Sequence, residues 1–255
     1  RPAPPLAHGQ TYVYSWRYQA GPHQSRPAPN ERDTMITVAA KEMHRALYAA
    51  TEVAKLSHET VPALRQVNVF ETTAGLVTEA TDRYSLVRAL ARKSVPEASD
   101  EMFGDHALLS VQDAKALLPL IKAQRNGYVS LDATEETLTV TFDDTRRSTF
   151  QNRHADLDYP NLKALSTTPT KGLDAAGPLG MNPKFLALPS KLVSMNDRKA
   201  DPMVITNADP DRPNAGIVWS LGDWVTGRIA NIRMDNTYGE GTEDKLRHWL
   251  TAERI

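Results

Sequence analysis

Three times along this chain a short apolar run passes directly into a stretch with one apolar helical face. Met35-Ile36-Thr37-Val38, Ala107-Leu108-Leu109-Ser110-Val111 and Pro178-Leu179-Gly180-Met181 read as strands, each feeding an amphipathic helix. Over 39–56, Met43, Leu47, Ala50, Val53 and Ala54 recur at helical spacing, with Lys41, Glu42, Arg45, Glu52 and Lys55 between them. Residues 66–71 then alternate, Val67 and Val69 inward against Asn68 and Phe70, and Gly75 permits a turn into 76–90, predicting two antiparallel strands. The second stretch repeats the order. Its helix spans 112–124 with Ala116, Leu117, Leu120 and Ile121 on one face, Asn126-Gly127 stops it, and strands cover 128–132, 137–143 and 147–152. In the third stretch Asn182 is an N-cap followed by Pro183 at the first helical position, and strands cover 203–207, 216–221 and 224–232. Val38, Val111 and Met181 are equivalent points 73 and then 70 residues apart. That period is well above the helix-pair repeats of solenoids and predicts duplicated half-domains that pack on one another. The expected class is α+β, with helices on one face of antiparallel sheets.

The flanks read differently. Residues 1–34 contain Pro2, Pro4, Pro5, Pro22, Pro27 and Pro29 and are expected to be extended or disordered. The alternating aromatics of Thr11-Tyr12-Val13-Tyr14-Ser15-Trp16-Arg17-Tyr18 either add an edge strand or belong to sequence upstream of a natural start at Met35. Residues 166–177, rich in Thr, Pro, Gly and Ala, read as a linker. The tail 235–255 carries Leu246, Trp249 and Leu250 at helical spacing, suited either to capping a sheet edge or to binding a partner. The organisation expected is therefore an extension over 1–34, a domain of two half-units over 35–165, the linker, a partial second domain over 178–234, and the tail helix.

Composition narrows the function classes. A length of 255 residues with 40% hydrophobic content suffices for a core. Zero cysteines exclude disulfides and thiolate metal sites and suit a reducing cytoplasm. No apolar run approaches the roughly 18 residues of a membrane span, so no membrane role is expected. The formal net charge of −1 argues against a generally basic nucleic-acid binder.

Four motifs, in order, resemble the bacterial sliding clamps, the beta subunits of the replicative DNA polymerase. They are Ala80-Thr81-Asp82-Arg83-Tyr84-Ser85-Leu86, the Asp158-Tyr159 that closes the second unit, the helix start Asn182-Pro183-Lys184-Phe185-Leu186, and Ile229-Ala230-Asn231-Ile232-Arg233. The chain departs from the family where Arg83, Tyr84 and Ser85 replace a glycine-led turn, where Asp156-Leu157 replaces Phe-Pro, and where Ala230-Asn231-Ile232-Arg233 replaces a terminal Met-Pro-Met-Arg. The resemblance covers the family's middle domain and the second half of its last domain. It implies a DNA-clamp fold, a replication role without catalysis or cofactor, and a cytoplasmic place in a bacterial or phage-infected cell, bacteriophages being the expected source of such a shortened clamp.

In that fold helices line a hole around duplex DNA, so a nearly neutral chain suffices if its cations gather there. The residues this implies are Lys41, Arg45, Lys55, Lys115, Lys122, Arg125, Lys184 and Lys191, against fewer acids, Glu42, Glu52 and Asp113. An ordinary solvated helix face is the competing reading of each lysine alone. The resemblance further implies a pocket for short peptide motifs of the polymerase and clamp loader, built from Thr81, Arg83, Tyr84, Leu86, Leu157, Pro160, Leu162, Ala230, Asn231, Ile232 and Arg233. For Leu86, Leu162 and Ile232 a plain core role competes. Ring closure in the family takes about twelve half-units, so three units per chain imply four subunits and four imply three. The alternative is a clamp-fold interaction module that closes no ring.

An enzyme is not expected. His154, Asp156 and Asp158 suggest a metal or acid-base site, yet no further ligands stand at defined spacing, and there is no Gly-rich phosphate loop or Gly-x-Ser-x-Gly elbow.

Overall fold

The computed structural model describes residues 35–94, 106–124, 126–142, 146–162, 181–195, 202–207 and 216–230. The expected extension, linker and tail helix, and residues 178–180 of the third predicted strand, lie outside the described residues.

β1 (Ile36–Ala39) runs without a break into α1 (Ala40–Ala54), and a 3-10 turn (Pro62–Arg65) leads to β2 (Gln66–Thr72), β3 (Gly75–Thr81) and β4 (Ser85–Arg92). The order repeats in β5 (Ala107–Ser110), α2 (Val111–Ala123), β6 (Tyr128–Ala133), β7 (Thr137–Phe142) and β8 (Arg146–Gln151). α3 (Pro183–Val193), β9 (Met203–Asn207), β10 (Ile217–Leu221) and β11 (Val225–Ile229) repeat it again from the helix onward. The helix starts follow their side chains. Ser110 accepts from the Asp113 N–H at 3.1 Å and Asn182 from the Lys184 N–H at 3.1 Å. Ala39 has no such group, and the first N–H of α1 instead donates to Gly127 O at 2.9 Å.

Among the described residues all strand pairs are antiparallel and form two sheets, β1-β6-β7-β8 and β5-β2-β3-β4-β11-β10-β9. The first two units exchange their opening strands: β1 pairs with β6, and β5 with β2. The strands that close the first and third units, β4 and β11, pair with each other, Ala89 opposite Val225.

The inward residues of both sheets share one core with the helices. α1 buries Met43, Ala46, Leu47, Ala50, Val53 and Ala54 against Val67, Val69, Leu76, Ala80, Val87 and Ala89. Its alanines admit close approach to the sheet, and Thr78 donates its hydroxyl to the Ala46 carbonyl at 2.8 Å. α1 also packs beside both α2 and α3, so the helices form a layer with α1 in the middle.

Two expectations are corrected. The stretch 76–90 is not one strand. The Asp82 carboxylate gathers the N–H groups of Tyr84 (3.0 Å) and Ser85 (2.7 Å) and the Ser85 hydroxyl (2.9 Å), while Arg83 takes φ 82°. This local alternative to the ladder breaks the strand into β3 and β4. On α2 the buried face is Val111, Ala114, Leu117 and Ile121, whereas Ala116 and Leu120 are exposed, because the apolar stripe starts one residue earlier, at the end of β5.

The outer face of the seven-stranded sheet carries a buried polar network. Glu79 accepts from Asn68 Nδ2 at 3.0 Å and from Arg88 Nε and Nη2 at 2.9 and 2.6 Å, with Arg88 lying over the Phe70 ring. The Tyr159 hydroxyl donates to the Glu79 carbonyl at 3.3 Å, which lays residues 157–162 across this face. Burial, and then the nearby Glu79 charge, hold the Tyr159 phenol well above its ordinary pKa against the opposing pull of Arg88.

Candidate nucleic-acid and peptide interfaces

The helical layer sorts the eight expected cations into three groups. Lys41, Lys115, Lys122 and Lys184 are exposed, and the last three have no carboxylate within ion-pair distance among the described residues. Lys55 and Lys191 both bind Glu52, Lys191 at 2.8 Å across the contact between α1 and α3. Burial raises the Glu52 pKa, but its bonds to Lys191 and Lys55 outweigh burial and leave it below the ordinary value, while Lys191 is held above its own by the same bond. Arg45 leaves the surface altogether. It is 2% exposed, bonds Glu42 at 3.2 Å and lies 4.7 Å from the centre of the Trp224 ring, which corrects its assignment to the solvent face. Two positions from Met43 and Leu47, it points roughly 200° around α1 from them, and its burial comes from the Trp224 ring and Glu42 that cover it. Arg125 lies outside the described residues.

Sequence reasoning missed two neighbours of these lysines. Lys41, His44, Tyr48, Glu52 and Lys55 form one stripe along α1, at spacings of three and four residues. The His44 and Tyr48 rings stack at 6.4 Å. Burial, then the charge of Lys122 on α2, lowers the His44 pKa. Burial, then Glu52, raises that of Tyr48 against the opposing charge of Lys191. The stripe is therefore flanked by Lys122 on one side and Lys191 on the other. The three-four spacing was readable in the sequence; that both rings stay half-exposed between neighbouring helices was not.

The expected peptide pocket is assembled in part. The turn at 82–84 meets the end of β11, where the Ala230 N–H donates to Tyr84 O at 2.7 Å and Leu86 stands opposite Arg228. Tyr84 is 62% exposed and stacks on Phe185 of α3 at 6.4 Å, so Phe185, which the sequence reading used only as a helix start, joins the site. Arg83 is exposed, and Thr81 spends its hydroxyl inside the turn, donating to Ser85 O at 2.8 Å and accepting from the Arg83 N–H at 3.2 Å. Leu86 and Leu162 are buried, Leu157 and Pro160 half-buried beside Tyr159. Asn231, Ile232 and Arg233 lie outside the described residues.

Two grooves flank β8. One, of about 430 Å³, is lined by Glu135, Glu136, Phe150, Gln151 and Asp156 among others, and one of about 240 Å³ by Leu120, Phe142, Arg146 and Arg147 among others. His154 faces His106 with ring centres 5.3 Å apart, and among the described residues no three His, Asp or Glu side chains converge as a metal site. Among the same residues no helix is long and apolar enough to cross a membrane.

No protein-family model matches the sequence, and no curated protein matches it. Solved structures do. The beta subunit of DNA polymerase III from Thermotoga maritima superposes with a TM-score of 0.58 at 12% identity, covering 82% of this chain and 68% of that one. The DNA polymerase III subunit beta sliding clamp of Bartonella birtlesii gives 0.56 at 15% identity, over 82% and 67%. The subunit beta of Borrelia burgdorferi gives 0.57 at 12% identity, over 82% and 65%. At these identities the likeness establishes the fold: the chain has the sliding-clamp fold, over about two thirds of the length of those proteins.

Proposed function

We propose that this protein is a clamp-like processivity factor. Several copies encircle duplex DNA and tether a polymerase through short peptide motifs, by topology rather than chemistry. The observation that carries this reading is the solvent side of the helical layer. Lys41, His44, Tyr48 and Lys55 run along α1 between Lys122 of α2 and Lys191 of α3, with Lys115 and Lys184 exposed beyond them. These groups suit phosphates and read no base sequence, as a protein that moves along DNA requires. Three repeated units, divided into a two-unit domain over 35–165 and a half domain over 178–234, fit a ring built from several copies.

The peptide site in this reading is the junction of the 82–84 turn, the end of β11 and α3. Exposed Tyr84 backed by Phe185 offers an aromatic anchor, and Arg83 a cation for an acidic flank. The decisive assay loads the protein onto nicked circular and linear DNA and compares retention on a sizing column. Retention on circles with loss from linear ends supports encirclement; equal retention on both refutes it. A second reading, a clamp-fold interaction module that closes no ring, is favoured by the neutralisation of Lys55 and Lys191 and the burial of Arg45. In that case the protein is lost equally from both DNAs while still capturing polymerase-derived peptides.

A further inference from the structure

We propose that His44 and Tyr48 of α1 form a stacking platform for an unpaired nucleobase, so that the helical layer holds single-stranded DNA as well as a duplex. This platform presupposes the reading above, in which the helical layer faces DNA, and adds a second kind of contact to it. The two rings stand four residues apart on α1, so they lie one turn above the other. Their centroids are 6.4 Å apart and their planes differ by 14°, within the range of offset stacking. Both side chains are half-buried. Tyr48 packs partly against the core, and the rest of its ring stays in solvent. A ring seated in that way is ordered before a ligand arrives, so little rotamer freedom is lost when a base stacks on it.

The surroundings select the ligand. Duplex DNA keeps the faces of its bases inside the stack, so a duplex offers this ring pair no face to meet. An unpaired base exposes its face, and its own backbone brings phosphates to either side. Cations interleaved with aromatic faces hold such a strand without reading its sequence. Here the charge of Lys122 on α2 reaches His44, and exposed Lys41 stands three residues before His44 on α1. Burial, then Lys122, keeps the His44 pKa below its ordinary value, so at pH 7 the imidazole is neutral and offers a ring rather than a charge.

Glu52 makes the platform one-sided. Four residues beyond Tyr48, it accepts from Lys191 of α3 at 2.8 Å and also pairs with Lys55. A phosphate arriving at that end meets a carboxylate that already occupies both lysines. The phosphate beside the stacked base is therefore met at the His44 end, by Lys41 and Lys122.

The test uses the full chain with a labelled oligothymidine of about twelve nucleotides, beside a duplex of equal length, and reads affinities by anisotropy at fixed salt. Y48L is expected to weaken single-strand binding about tenfold, the worth of one stacked base, and at least about fivefold more than it weakens duplex binding. Y48F keeps the ring and is expected to restore single-strand affinity. K122A is expected to weaken both ligands, and K191A to weaken the single strand less than K122A does. Circular dichroism checks the fold of each variant. Wild-type protein supplies a readout that needs no variant: an oligothymidine carrying iodouracil is expected to crosslink under near-ultraviolet light to Tyr48 or His44, located by mass spectrometry. Single-strand affinity unmoved by Y48L, Y48F as weak as Y48L, or crosslinks only outside α1 overturns the platform and leaves the duplex surface standing. If K122A moves neither ligand, the helical layer does not face DNA, and the platform falls with that reading.

Discussion

Removing Lys115, Lys122 and Lys184 together tests the helical layer as a DNA surface. Each is exposed and without an ion-pair partner among the described residues, so each is free to displace a counterion from a phosphate. At a slope of about 0.9 per phosphate contact, three lost contacts flatten the plot of log K against log salt by about 2.7. Between 50 and 200 mM salt that corresponds to roughly a fortyfold smaller loss of affinity. The comparison that makes the reasoning specific is K55A/K191A. These lysines already share Glu52, so their removal is expected to change the slope by less than about 1, whereas E52Q frees both and steepens it. Anisotropy of a labelled duplex over that salt range, with folding checked by circular dichroism, supplies the slopes. If K55A/K191A flattens the slope as much as the triple variant, or if the triple variant leaves it unchanged, the helical layer is not where phosphates bind.

A Cβ at Gly227 falls 2.3 Å from Cε2 and Cζ2 of the buried Trp219, so G227A is expected to cost about 1–3 kcal/mol in denaturant unfolding and to be partly rescued by W219F. D82A removes the acceptor of three hydrogen bonds in the 82–84 turn and is expected to cost about 2–3 kcal/mol and to weaken capture of polymerase-derived peptides at Tyr84; unchanged stability refutes the account of the turn. His44 titrates below the ordinary imidazole value, so the unfolded chain takes up its proton first and stability falls as pH drops through about 6.5. K122A is expected to raise the His44 midpoint in an NMR titration only part of the way, because burial is the larger cause, and H44Q to flatten the pH dependence; a midpoint unmoved by K122A places Lys122 away from the stripe.

The periodic patterns were legible because local physics decides them. The helix starts at Ser110 and Asn182, the alternation of Val67 and Val69, and the inward face of α1 all depend on residues within one turn or one pleat. What escaped depends on partners distant in sequence. Arg45 looks like a surface residue among Lys41, Glu42 and Glu52, and only Trp224, brought by the β10–β11 turn, makes its burial tolerable. The pairing of β4 with β11 and the exchange of β1 and β5 have no mark in the strands themselves, since a closing strand and an opening strand share the same alternation. Asp82 is the intermediate case: Asp two or three residues before the N–H groups it accepts from is a turn signature, hidden here by the apolar run on either side. For the site residues, exposure of lysines was readable as composition, but which of them Glu52 neutralises required the contact between α1 and α3.

The two cationic side chains are used differently, and the division bears on both proposed surfaces. Arginine mostly holds the fold together: Arg45 on Glu42 and Trp224, Arg88 on Glu79 and Phe70, and Arg92 on Glu42 and Asp223. A planar fork with five donors can satisfy a carboxylate and lie on a ring at once, which a buried charge needs. The exposed positions of the helical layer hold lysines, whose flexible stems carry a point charge that follows a phosphate without fixing its geometry. A surface of that kind attracts a duplex yet lets it move, whereas bidentate arginines would hold it in register. Among the described residues two arginines break the pattern, Arg83 and Arg147, both exposed and with guanidinium groups that make no hydrogen bond or ion pair. Arg83 projects from the turn beside Tyr84, and Arg147 from β8, the last strand of its sheet among the described residues. Arg83 lies where a protein partner, rather than DNA, is proposed to dock, and there the fixed geometry of a guanidinium becomes useful, because it selects one carboxylate in one register.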